Sequence, residues 1–309
     1  MKDRRIFIKS IALSAGAAFT SRDLFSKPVF SPEIKIASQH YTWFTYFKRE
    51  GKAWMENTED SFNAFLETGV SGYEPSFNNL DEASELISHY DTYKIWSKSM
   101  YVNSVLHEPG LVEQNITDIL AIAREARMIG IEILVTNPTP LNWGGPENKT
   151  DEQLKTQAIA LNLLGKELNA LGIKLAYHNH DIEMRESARE FHHMLTGTDP
   201  DYVHLCLDAH WIYRGSGNSQ VALFDIVELY ADRIVELHLR QSQDSIWSEV
   251  FGEGDIDYAR LIKILKNKKL KPHIVLEQAI EEGTPNTMSS VEAIGKSLSN
   301  VKEMFNLNN

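Results

Sequence analysis

From residue 33 onward, short apolar runs alternate with longer stretches in which apolar residues recur every three or four positions. The short runs are apolar on both faces, as a parallel strand covered by helices on either side must be. The longer stretches read as amphipathic helices. Strands are expected over residues 34–38, 70–75, 94–102, 131–136, 173–178, 203–208, 234–239 and 273–277. Helices are expected over 58–66, 80–90, 111–128, 151–171, 187–195, 221–230, 258–267 and 291–305. Several boundaries carry their own signals. Thr150 and Gln153 form a capping-box pattern before 151–171, and Gly172 ends that helix. Glu59 and Asp60 place acidic residues in the first turn of 58–66.

Eight strand–helix units in succession, with neither a linker nor a second domain, predict the α/β class. The specific architecture is one closed (β/α)₈ TIM barrel over residues 31–309 rather than an open doubly wound sheet. No G-x-G-x-x-G follows the first strand. Gly252-Glu253-Gly254-Asp255 falls between the seventh strand and its helix, the wrong place for a dinucleotide fingerprint. No nucleotide cofactor is therefore expected.

The strand ends carry the candidate chemistry. Residues 173–178 lead into Tyr177-His178-Asn179-His180-Asp181, an odd finish for a hydrophobic strand. Such barrels bind substrate at the C-terminal ends of their strands. Alternation with period two places Ala176, His178 and His180 on one face of strand five. On strands six to eight it groups Cys206, Asp208 and His210, then Glu236, His238 and Arg240, then Val275, Glu277 and Ala279. One level therefore offers His178, Asp208, His238 and Glu277. Imidazole nitrogens and carboxylate oxygens suit one divalent ion, Mn²⁺, Zn²⁺, Co²⁺ or Mg²⁺. A step further out stand His180, His210 and Arg240.

The runs YHNH (177–180), LCLDAHW (205–211), VELHLR (235–240), GEGDIDY (252–258) and IVLEQ (274–278) resemble, in order and spacing, the sugar phosphate isomerase/epimerase family. This is the xylose isomerase-like barrel group, which includes inosose dehydratases and ketose 3-epimerases. The resemblance covers roughly residues 33–305. It implies one metal held from strands five to eight, with Asp208, His238 and Glu277 at three family positions and His178 where many members have Glu. It also implies an isomerase or epimerase acting on a small carbohydrate, a keto-sugar or derivative, through a metal-stabilised enediolate. Glu277 would be the base, with His178 or His180 moving a proton on the other side. His178 in place of a glutamate departs from a symmetric two-glutamate epimerisation. That makes a metal-dependent lyase or dehydratase on a keto-sugar, keto-glycoside or keto-inositol the alternative. A non-catalytic sugar-binding barrel is a further reading, against which Glu277 at the base position speaks. Because this group often associates, a homo-oligomer is left open.

Sugar contacts are expected from His210 and Arg240, from Glu74 at the end of strand two, and from His107 after strand three. Trp143 and Trp247 join them, because aromatic faces stack on the apolar faces of sugars. His192 and His193, on a helix beside Phe191, read as helix packing.

Charge narrows the partners. The formal net charge of −12 repels a phosphate backbone, so neither nucleic acid nor an endonuclease IV-type activity is expected. Cys206 is the single cysteine, which excludes an intramolecular disulfide and reads as buried in its strand. Residues 1–30 read as a signal segment. Arg4-Arg5-Ile6-Phe7-Ile8-Lys9 before the mildly apolar residues 10–20 resembles a twin-arginine export signal. The apolar run is too short to span a bilayer. A periplasmic protein is expected, without membrane insertion after export. Free or oxidised glycosides suit that compartment better than sugar phosphates.

Overall fold

The computed structural model describes residues 34–307. The expected signal segment, residues 1–30, lies outside them. Eight parallel strands form the barrel: β1 Ile36–Gln39, β2 Gly72–Glu74 continued beyond Pro75 by Ser76–Phe77, and β3 Ser99–Val102. The ring continues with β4 Ile133–Thr136, β5 Lys174–His178, β6 Val203–Asp208, β7 Ile234–Leu239 and β8 His273–Leu276. Each pairs with its sequence neighbours, and β8 pairs back onto β1. The ring is completed within β2, whose first half pairs with β1 and whose second half pairs with β3. Pro75 sits at the exchange. It has no N–H to give a ladder, and its carbonyl accepts the Tyr101 N–H at 2.8 Å.

Ten α-helices surround the ring among the described residues. They are α1 His40–Arg49, α2 Thr58–Glu67, α3 Leu80–Tyr93, α4 Val112–Ala126 and α5 Asp151–Ala170. After them come α6 Arg185–Thr196, α7 Ala209–Gly215, α8 Gln220–Tyr230, α9 Tyr258–Asn267 and α10 Ser290–Met304. The Thr150–Gln153 capping box forms as expected, and Ser289 with Glu292 makes a second one. None of these helices is long and apolar enough to cross a membrane.

Four features depart from the sequence pattern. α1 was not expected, because HYTWFTYFKR is rich in aromatic and β-branched residues that form helices poorly. Burial decides it: Trp43 and Phe47 pack against Trp54, with Trp43 and Trp54 stacked at 4.6 Å between ring centroids. α7 and the hairpin Ser242–Gln243/Ile246–Trp247 are likewise additions. α6 opens through a left-handed turn at Glu186, Ser187 and Ala188, with φ between 52° and 63°.

The main apolar core fills the layer between barrel and helices, and a small cluster of Ile133, Val135, Ala176 and Cys206 lies inside the ring. The rest of the interior is unusually polar. Ser38, Glu74, Ser99, Glu236 and His238 are all buried. Polar groups there are costly unless each finds a partner or serves a site.

Candidate active site

The strands deliver three of the four expected metal ligands to one point. His178 Nε2 lies 3.1 Å from His238 Nδ1, and His238 Nδ1 lies 3.1 Å from Glu277 Oε2. His178 Nε2 is 3.8 Å from the same carboxylate oxygen. The registers explain the convergence. His178 ends β5, His238 is one residue from the end of β7, and Glu277 follows β8, all on the inward side.

Asp208 stands beside this trio without joining its tight contacts. It pairs in register with His238 across β6 and β7. One oxygen, Oδ1, caps α7 by accepting the Trp211 N–H at 3.0 Å. The other, Oδ2, is buried and has no partner among the described residues. Asn179 ties the ends of β5 and β6 together. Its side chain donates to the Asp208 carbonyl at 3.1 Å and accepts the Asp208 N–H at 3.3 Å. Glu183 pins the following loop by accepting the His180 N–H at 2.6 Å and the Asn137 amide at 3.1 Å. Burial and the nearby Glu190 push the Glu183 carboxyl up to about 7.

The electrostatics of the trio call for positive charge. Burial alone would raise the Glu277 carboxyl, yet Arg240 and His238 hold it well below the usual carboxylate range. Burial disfavours a charged His238, but Cys206, Glu74 and Glu277 together raise it well above the ordinary imidazole value. His180 is driven the other way. Burial and the neighbouring His178 depress it, so it is neutral near pH 7. Burial also raises Asp208, with Glu277 adding to the rise and Arg240 opposing it.

Around this point stands a ring of aromatic and cationic groups. The Arg240 guanidinium lies between Trp211 and Trp247, 4.9 and 4.2 Å from their ring centroids. Its Nη1 has no partner among the described residues. His210 is buried against the same two indoles, and neither of its ring nitrogens is bonded. Trp143, more than half exposed, meets the His180 ring edge-on at 5.0 Å. His180 in turn lies 4.8 Å from the His178 ring. His210, Arg240, His180, Trp143 and Trp247 thus stand together around the trio, with His210, Arg240 and Trp247 buried.

Two expected sugar contacts do not stand at the mouth. Glu74 is wholly buried inside the barrel, on the far side of His238, because β2 points it inward one level too deep. His107 sits in the loop after β3, 3.5 Å from Glu108, and bonds to none of the strand-end groups. Sequence reasoning left out Trp211 and gave Glu236 no role. Both were accessible in principle. Trp211 lies inside the LCLDAHW run, and Glu236 shares a strand face with His238 by simple alternation.

A divalent ion fits the residues present. Two imidazoles and a carboxylate approach within bonding range of a common point. Asp208 adds a buried carboxylate oxygen that nothing else satisfies, a vacancy that costs free energy unless a donor or cation answers it.

The model of the xylose isomerase-like TIM barrel family matches residues 59–302. An inosose dehydratase of Clostridium perfringens is 26% identical over 188 residues, 55% of this chain and 60% of that enzyme. One from Clostridium beijerinckii is 27% identical over 222 residues, 64% of this chain and 69% of that one. The chain therefore spans about 60% of the length of the first of these relatives. Among solved structures, a sugar phosphate isomerase/epimerase from Parabacteroides distasonis superposes with a TM-score of 0.66 at 16% identity, over 90% of this chain and 96% of that one. The IOLI protein, solved with a zinc atom, gives 0.65 at 15% identity, over 88% and 98%. At such identities these likenesses establish a shared fold. With the family model running from α2 to α10 across a ring of eight parallel strands, the chain belongs to the xylose isomerase-like TIM barrel family.

Proposed function

We propose that this protein is a metal-dependent enzyme that removes the proton beside the carbonyl of a small keto-sugar, with elimination of water or an alkoxide as the outcome. The observation that carries this reading is the asymmetry of the central trio. One carboxylate, Glu277, faces two imidazoles, His178 and His238, rather than a second glutamate. Epimerisation through two opposed glutamates needs a partner that this chain replaces with His178.

The ion would be held by His178, His238 and Glu277, with Asp208 Oδ2 as the fourth donor. An ion there supplies Lewis-acid polarisation of the substrate carbonyl, which acidifies the neighbouring C–H bond. Glu277 is ionised across the physiological range but weakly basic, so it depends on that acidification. It takes the proton on one carboxylate oxygen. Loss of the oxygen substituent from the next carbon completes the double bond. His180 is neutral and a poor acid, so Glu277 hands its proton to the departing oxygen on the same face. Arg240 Nη1 and the two nitrogens of His210 would hold substrate hydroxyls, and the exposed indole of Trp143 would cover an apolar sugar face. Arg240 and Arg214 are each paired with a carboxylate, Glu277 and Glu281, so neither is a free anchor for a phosphate. That supports a neutral sugar. The inosose dehydratase relatives support elimination.

A second reading, isomerisation or epimerisation, is supported by the unpartnered Nδ1 of His178, a second proton carrier beside Glu277. One experiment separates them. Metal-loaded protein is incubated with 3-keto-glycosides and keto-inositols in D₂O. Elimination gives an unsaturated ketone with new ultraviolet absorption. Epimerisation gives solvent deuterium in a sugar that keeps all its oxygens. Neither product from any keto-sugar overturns both readings. We propose, from Arg4-Arg5 and the residues after it, that the protein works in the periplasm. Fractionation of cells carrying wild type and an Arg4→Lys/Arg5→Lys variant tests that, and equal cytoplasmic retention of both sinks it.

A further inference from the structure

His238 is approached from both sides. Its Nδ1 faces the mouth, 3.1 Å from His178 Nε2 and 3.1 Å from Glu277 Oε2. Its Nε2 faces the barrel interior, 3.4 Å from Glu74 Oε2 in hydrogen-bonding line, with Glu74 Oε1 at 3.1 Å and Glu236 Oε1 at 3.3 Å. Two groups of side chains could therefore hold an ion. His178, His238 and Glu277 form the upper group, and Cys206, Glu236 and His238 the lower. They share one imidazole. A neutral imidazole has one lone pair for a ligand and one N–H for an acceptor, so it serves only one of the two as a ligand.

The lower group is sealed from solvent. Glu74, Cys206, Glu236 and His238 have no exposed surface. Glu74 Oε2 accepts the Ser99 hydroxyl, and the Cys206 thiol donates to Glu236 Oε1 at 3.5 Å. Among the described residues both groups keep buried atoms without a hydrogen-bond partner, His178 Nδ1 and Asp208 Oδ2 above, Glu74 Oε1 and Glu236 Oε2 below.

We propose that Glu74 and Glu236 are positioning residues that take the Nε2–H of His238 and so aim its Nδ1 lone pair at the point between His178 and Glu277, where the divalent ion binds. The proposal rests on the metal-centre reading above. It explains why β2 and β7, on different parts of the ring, each bury a carboxyl group where an apolar side chain would be cheaper. A carboxylate on the far nitrogen fixes the tautomer of a ligating histidine and strengthens it as a donor. The lower group is then the back wall of one site rather than a second site.

Metal affinity tests this without any substrate. Wild type, Glu74→Gln, Glu236→Gln and Cys206→Ser are checked for folding by circular dichroism, then titrated with Zn²⁺ and Co²⁺ against a chelator. Glu74→Gln, with a neutral amide in place of the carboxylate, should bind roughly 10–100-fold more weakly. Glu236→Gln should weaken binding in the same direction, and Cys206→Ser should match wild type. The Co²⁺ form should lack a thiolate-to-cobalt charge-transfer band. Such a band in wild type, lost in Cys206→Ser, would put the ion in the lower group and overturn the proposal. Wild-type affinity in both folded glutamine variants would overturn the positioning role alone, and a wild type that binds no ion would overturn the metal-centre reading with it. Should the variants not fold, Zn²⁺-loaded wild type decides by ¹H–¹⁵N spectra. The His238 proton must sit on Nε2, and a proton on Nδ1 overturns the proposal.

Discussion

Arg240 grips Glu277 at two points: Nη2 lies 3.0 Å from the carboxylate Oε2, and Nε donates to the backbone carbonyl of the same residue at 3.0 Å. The guanidinium is itself fixed between Trp211 and Trp247. One group therefore sets both the direction of the proposed base and its low proton affinity. Arg240→Lys keeps the charge but loses the planar fork and the stacking. Glu277 should then bind protons more readily, and the acid limb of the pH–rate profile should move to higher pH. A profile with an unmoved acid limb would show that Arg240 does not control the base.

Glu277→Gln tests the base itself. The amide can still accept the Arg240 hydrogen bonds but cannot take a proton from carbon. Turnover should fall by roughly 10²–10⁴-fold, the usual worth of a positioned base. Circular dichroism should be unchanged. Turnover at the wild-type rate in a folded, metal-loaded variant would remove Glu277 from that role.

Asp208 caps α7 with one oxygen and, in the proposed centre, would hold the ion with the other, and the pair Asp208→Asn and Asp208→Ala separates the two roles. The asparagine keeps an oxygen for the Trp211 N–H that starts α7, but loses the ligand charge. Elemental analysis should show much reduced metal in both variants. Only the alanine should add a stability loss of about 1 kcal/mol, the usual worth of a helix cap. Full metal content in the asparagine variant would limit Asp208 to capping.

Much of the barrel was legible because its information is local. Period-two alternation identified the inward faces of the late strands, and the same rule brought His178, His238 and Glu277 to one point. What escaped depends on contacts distant in sequence. α1 forms through Trp43 stacking on Trp54 against the propensity of its own residues. Glu74 looked like a strand-end sugar contact because alternation gives a side chain its face but not its depth. Pro75 ends the first half of β2 right after it, and the register with β1 sets Glu74 beneath the mouth. The second oxygen of Asp208 and the double approach to His238 are facts of three-dimensional geometry that no spacing encodes.

His273 gives a prediction about stability rather than catalysis. It begins β8 at the closed end of the barrel, buried, edge-on to Trp96 at 5.6 Å, with Nε2 unpartnered. Burial is the main cause that lowers its pKa to about 3, partly opposed by Glu74 and reinforced by Lys98 and His238. The unfolded chain would take up that proton near 6.5. The folded state therefore binds fewer protons between those values. The stability due to neutral His273 is complete above about pH 6.5 and is lost progressively as pH falls toward 3. Urea denaturation of wild type from pH 8 to 4.5 should show unfolding free energy declining below pH 6.5, and His273→Gln should decline less steeply over the same range. Other buried histidines, His210 among them, titrate in the same direction, so the variant should flatten the acid limb without abolishing it. Parallel acid limbs in the two proteins would mean that His273 keeps its proton on folding, and that the closed end of the barrel admits charge more readily than its burial implies.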